Sequence, residues 1–134
     1  MKAIGTFEVK LSPMDSYAKG VDEIKLGRMS IDKQFVGDLE ATSQGEMLSA
    51  MTTVKGSAGY VAIEQVKGSL SGKTGSFVLQ HFGTMKQGTD RLILEVVPNS
   101  GSGELGGLSG QMTIAIDSGT HHYTFDYDLM SPAL

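Results

Sequence analysis

The chain reads as an all-β protein, an eight-stranded antiparallel β-barrel in a single domain over residues 1–134, on three observations. Apolar and polar residues alternate with period 2 along almost the whole length. Gly, Ser, Asn, Asp and Pro punctuate those runs at short intervals. No segment offers two full turns of helical periodicity.

The first run is Ala3 to Lys10. After it, Pro13 to Glu23 breaks the pattern and holds at most one helical turn. The second run is the clearest, with Met29, Ile31 and Phe35 set against Arg28, Ser30, Asp32 and Gln34. Leu39 to Met51 and Tyr60 to Leu70 follow. Gly75 to Met85, Arg91 to Val97, Gly110 to Ile116 and His122 to Asp128 complete the set, and the Gly103 to Leu108 stretch is a turn. Eight such strands remove their exposed edges by closing into a barrel, with a two-sheet sandwich as the alternative.

Two hairpins fix a register. The Ser71-Gly72 turn leaves an even number of loop residues, which puts Tyr60, Ala62, Glu64 and Val66 on the same face as Phe77, Leu79 and His81. A two-residue loop at Gln87-Gly88 adds Leu92, Leu94 and Val96 to that face. An odd loop with a bulge would reverse the first pairing. Pattern alone extends the interior to Met29, Ile31, Phe35, Met112, Ile114, Tyr123, Phe125 and Tyr127. The opposite face carries Val61, Ile63, Val78, Phe82, Ile93 and Val97, an apolar set that predicts a subunit interface of a homo-oligomer or a cover made by Pro13 to Glu23.

Composition bounds the chemistry. A net charge of −4 supplies no basic field for a phosphate backbone, so no nucleic-acid partner is expected. Met1 to Lys10 lacks the apolar core of a signal peptide, and no run reaches the ~18 apolar residues of a membrane span. A soluble, cytoplasmic protein is predicted. There is no cysteine, hence no disulfide, thiolate nucleophile or sulfur-ligated metal.

The motifs that suggest cofactors fail on spacing. Gly101-Ser102-Gly103 with Gly106-Gly107 is not GxGxxG, and no Lys-Ser or long helix follows. Gly72-Lys73-Thr74 ends like a phosphate-binding loop, but Lys67 stands where its first glycine belongs. His121 and His122 are adjacent on a strand, point to opposite faces and do not converge on a metal. Neither a cofactor nor a metal is expected.

The chemically suggestive pair is Glu64 with His81, placed together on an apolar face. There a carboxylate loses hydration unless a partner stabilises it. The pair is either an acid–base couple or a buried hydrogen-bonded pair that fixes register. Tyr60, Phe77, Leu79, Leu94 and Phe125 are the candidate lining for a small apolar or amphipathic ligand, and the eight methionines make such a lining adaptable.

The string Gly-Ser-Phe-Val-Leu-Gln-His at 75 to 81 carries a resemblance, together with Gly68-x-Leu-x-Gly72 and the Val97 to Gly110 connection. These, with Gly5-Thr6-Phe7-Glu8-Val9 and Tyr123-Thr124-Phe125-Asp126-Tyr127, resemble the small bacterial proteins of domain-of-unknown-function family 3224. The glycine-rich connection resembles, more distantly, that of allene oxide cyclases and plant dirigent proteins. Those families imply an eight-stranded antiparallel barrel, allene oxide cyclase barrel-like, with an apolar cavity and frequent oligomerisation. Their catalytic residues do not map onto this chain, and a fold alone carries no activity. The functional expectations are therefore a binding module, a cofactor-free cyclase or isomerase using Glu64 and His81, or an oligomeric interaction protein with a filled barrel.

Overall fold

Three two-residue turns organise the chain. Ser71-Gly72, Gln87-Gly88 and Ser118-Gly119 all have positive φ at both positions, the type I′ geometry whose twist matches that of paired strands. A computed structural model describes residues 1–130; residues 131–134 of the expected domain lie outside the described residues. The strands are β1 (Lys2–Met14), β2 (Lys25–Gly37), β3 (Leu39–Met51), β4 (Ala58–Leu70), β5 (Lys73–Lys86), β6 (Thr89–Val96), β7 (Ser102–Gly103), β8 (Leu108–Asp117) and β9 (Thr120–Leu129). Every pairing is antiparallel.

Eight long strands close into a barrel. Pairing runs β4-β3-β2-β1-β9-β8-β6-β5, and β4 with β5 closes the ring. The expected face is the interior one: Glu64 pairs with Leu79, Val66 with Phe77, Ala62 with His81 and His81 with Leu94. Closure removes the edges that an open sheet of this length would expose.

The two ends differ. At the base, the β6–β8 connection folds back so that β7 pairs with Gly75 and Ser76 and Leu105 seals the interior. Glycine permits that approach: a Cβ on Gly75 would stand 2.0 Å from the Ser102 carbonyl oxygen. Phe35, Leu39, Val66, Leu70, Phe77, Leu79, Phe125 and Tyr123 fill this half, with Phe77 and Phe125 stacked at 5.8 Å. At the other end, the mouth, inward-pointing side chains emerge into solvent: Leu11 is 46 % exposed, Leu92 39 % and Ile116 68 %.

The structure decides two points. Pro13 to Glu23, with room for at most one helical turn, forms none: Pro13 and Met14 extend β1 and the rest is an irregular loop. Nor does that segment cover the outer apolar face. It is tied to the start of β2, where Leu26 N–H donates to the Lys19 carbonyl and Arg28 to that of Asp15. Val61, Ile63, Phe82 and Ile93 stay exposed.

Candidate functional site

Halfway up the barrel the apolar filling stops at a layer of polar side chains. Lys33 on β2, Ser43 on β3, Glu64 on β4 and His81 on β5 are all buried, and each occupies an inward position of its strand. Glu64, with no exposed surface, is the centre. Its Oε1 accepts from Lys33 Nζ at 3.0 Å and from His81 Nε2 at 3.0 Å, and its Oε2 accepts from Ser43 Oγ at 2.9 Å. Four strands of the wall thus meet at one carboxylate.

Local sequence makes room for this. Gly45 is the cross-strand partner of Glu64, and a Cβ there would lie 2.7 Å from the Glu64 Cβ. On the other side, Gly83 leaves space for the Tyr60 ring, which a Cβ would meet at 2.3 Å. Tyr60 is half-buried, one inward position above the pair formed by Ala62 and His81, and its Oη lies 3.3 Å from His81 Nδ1. A continuous line runs from the mouth to the buried carboxylate: Tyr60, His81, Glu64.

The electrostatics follow from burial and partners. Burial pushes the Glu64 carboxyl up, but the His81 hydrogen bond and the Lys33 charge outweigh it and hold the group below its ordinary value. Burial, and then the Glu64 charge, raise the Tyr60 phenol, which therefore keeps its proton. Lys33 lies over the Phe7 ring at 4.8 Å, a second source of stabilisation for its charge. Among the described residues no buried side-chain nitrogen or oxygen lacks a partner.

Glu64 and His81 are brought into contact, as their register implies. The five candidate lining residues are divided between the two halves. Phe77, Leu79, Leu94 and Phe125 belong to the packed base, whereas Tyr60 stands at the border of the mouth half. On the Tyr60 side the mouth half carries Met29, Met47 and Ser49, all half-buried, while the half-buried Val9 and Ile114 pack against the core cluster. Sequence reasoning missed Lys33 and Ser43. The signal was present in the parity of β2 and β3, because Lys33 sits between inward Ile31 and Phe35 and Ser43 follows inward Leu39 and Ala41. A lysine at an inward position simply reads as a break in the pattern.

One other feature, on the outer wall, holds no such cluster. A groove of about 1170 Å³ crosses the outer wall of β1 to β5, lined by mixed polar side chains including Gln34, Gln44, Gln65 and Lys67. Among the described residues there is no group of three or more His, Cys, Asp or Glu placed to hold a metal, and no helix long and apolar enough to cross a membrane.

Comparison with known proteins points to one family. The model of the family described as protein of unknown function (DUF3224) matches residues 3–127. The crystal structure of a protein with unknown function from that family, from Shewanella oneidensis MR-1, is 62 % identical; the match covers 99 % of this chain and 98 % of that one, with a TM-score of 0.96. No curated protein matches the chain.

Proposed function

The chain belongs to the DUF3224 family of proteins of unknown function, and from that premise we propose that its barrel binds a small amphipathic molecule in the mouth half. One observation supports this reading above others: along the barrel axis, inward side chains pass from fully buried and apolar, through one polar layer, to half-buried and exposed apolar groups. A ligand seated there sets its apolar part against Met29 and Met47 and its polar end towards Tyr60. Flexible methionine side chains suit a wall that closes around a guest. The packed base gives the site a rigid floor.

The test is native mass spectrometry of the protein as purified, followed by solvent extraction. A co-purifying lipid or metabolite is the expected result. Protein that is consistently empty, and that takes up no apolar fluorescent probe, overturns the proposal.

A second reading is favoured by the Tyr60–His81–Glu64 line. In a cofactor-free isomerase or cyclase, Glu64 would orient His81, and His81 would exchange a proton with bound substrate through the Tyr60 hydroxyl. The more distant resemblance to allene oxide cyclases lies in this direction, since those proteins steer a reaction by shaping an apolar pocket. Substrate screening with Tyr60→Phe and His81→Asn decides it: turnover that survives both variants removes the assigned chemistry.

A further inference from the structure

We propose, resting on the binding reading above, that the ligand of the mouth half is an apolar molecule bearing a hydroxyl group, whose O–H donates to the Tyr60 oxygen. The argument is a hydrogen-bond count. The Glu64 carboxylate only accepts, so His81 Nε2, at 3.0 Å from Oε1, carries the hydrogen of that contact. Lys33 and Glu64 already cancel each other's charge, and a second buried cation would have no counter-charge. With Nε2 carrying that hydrogen, Nδ1 is the acceptor of the contact with Tyr60. The Tyr60 hydroxyl, 3.3 Å from Nδ1, must donate inward.

That leaves only oxygen lone pairs of Tyr60 for a guest. His81 meets Glu64 and Tyr60 on β4 and pairs with the apolar Leu94 on β6, while Lys33 on β2 and Ser43 on β3 are bonded to Glu64, and none of them reverses the polarity. A ligand ether, ester or carboxylate would set acceptor against acceptor. An ammonium would donate, but it would lose its hydration beside apolar walls with no free anion to meet it. A hydroxyl meets the requirement at no charge cost. Ser49, opposite Tyr60 in the register, is a hydroxyl able to take either role and does not discriminate.

The experiment displaces a bound apolar fluorophore, N-phenyl-1-naphthylamine, with 1-octanol, methyl octyl ether, octanoate and octylamine at pH 7. The four share a chain and differ in the polar group. Octanol is expected to displace the probe at about three- to tenfold lower concentration than the others, the worth of one hydrogen bond. Tyr60→Phe, checked for an unchanged thermal melt, is expected to remove the preference. Equal displacement by ether and alcohol, or a preference that survives Tyr60→Phe, overturns the hydroxyl assignment while leaving ligand binding intact. A protein that takes up neither probe nor competitor overturns the binding reading itself.

Discussion

Glu64 is a charge placed where charge is costly, and three donors on three neighbouring strands hold it there. Removing one member of such a buried pair typically costs more than the pair contributes, because the survivor is left charged and unmatched. Glu64→Gln is therefore expected to lower unfolding stability by about 3 to 5 kcal/mol in urea denaturation. Adding Lys33→Met to Glu64→Gln is expected to recover part of that loss, since it removes the stranded cation. The pH dependence has a definite sign. The folded carboxyl lies below its ordinary value of 4.5, so its contribution is fully present above that value and is lost as pH falls through the folded one. Urea midpoints measured from pH 6 downward should fall more steeply in wild type than in Glu64→Gln. Parallel slopes would show that Glu64 does not carry the acid sensitivity.

At the scale of elements, the hairpins were legible because turn chemistry and parity agree. A Ser-Gly or Gln-Gly pair between alternating runs requires positive φ twice, and a two-residue loop then fixes which side chains share a face. Gly88 and Gly83 separate two reasons for glycine. A Cβ on Gly88 meets nothing within 4 Å, so Gly88→Ala meets only the strain of its φ of 88° and is expected to cost about 1 to 2 kcal/mol. Gly83 sits in an ordinary strand conformation under the Tyr60 ring, so Gly83→Ala is expected to displace that ring and break its hydrogen bond to His81. Histidine NMR checks the difference: the His81 resonances should move in Gly83→Ala and stay in Gly88→Ala. The segment after Pro13, which has room for one helical turn, forms none for a related reason. Strand β1 pairs with β2 as far as Met14 to Arg28, and those ladder hydrogen bonds override the local break at Pro13.

For the whole molecule, the outer wall carries one feature that burial inside cannot explain. Leu48, Val61, Phe82 and Ile93 stand opposite one another on four consecutive strands and form an exposed apolar row. The contact between copies expected from the sequence is placed there as a proposal. Sedimentation velocity tests it with wild type and Val61→Lys/Phe82→Lys. A larger species in wild type that disappears in the double variant is the expected result, and a monomer in both overturns it.

The sequence by itself determined the class of fold, the eight long strands, the inward face from Tyr60 to Val66 and from Phe77 to His81, and the meeting of Glu64 with His81. Each depends on side-chain alternation and turn geometry, which act over a few residues or one hairpin. Only the tertiary structure decided that Lys33 and Ser43 join that pair, that Phe77, Leu79, Leu94 and Phe125 fill the base, and that Leu105 seals it. Those contacts span strands far apart in the chain, and their depth in the barrel depends on stagger and closure around the whole ring, which no local pattern encodes.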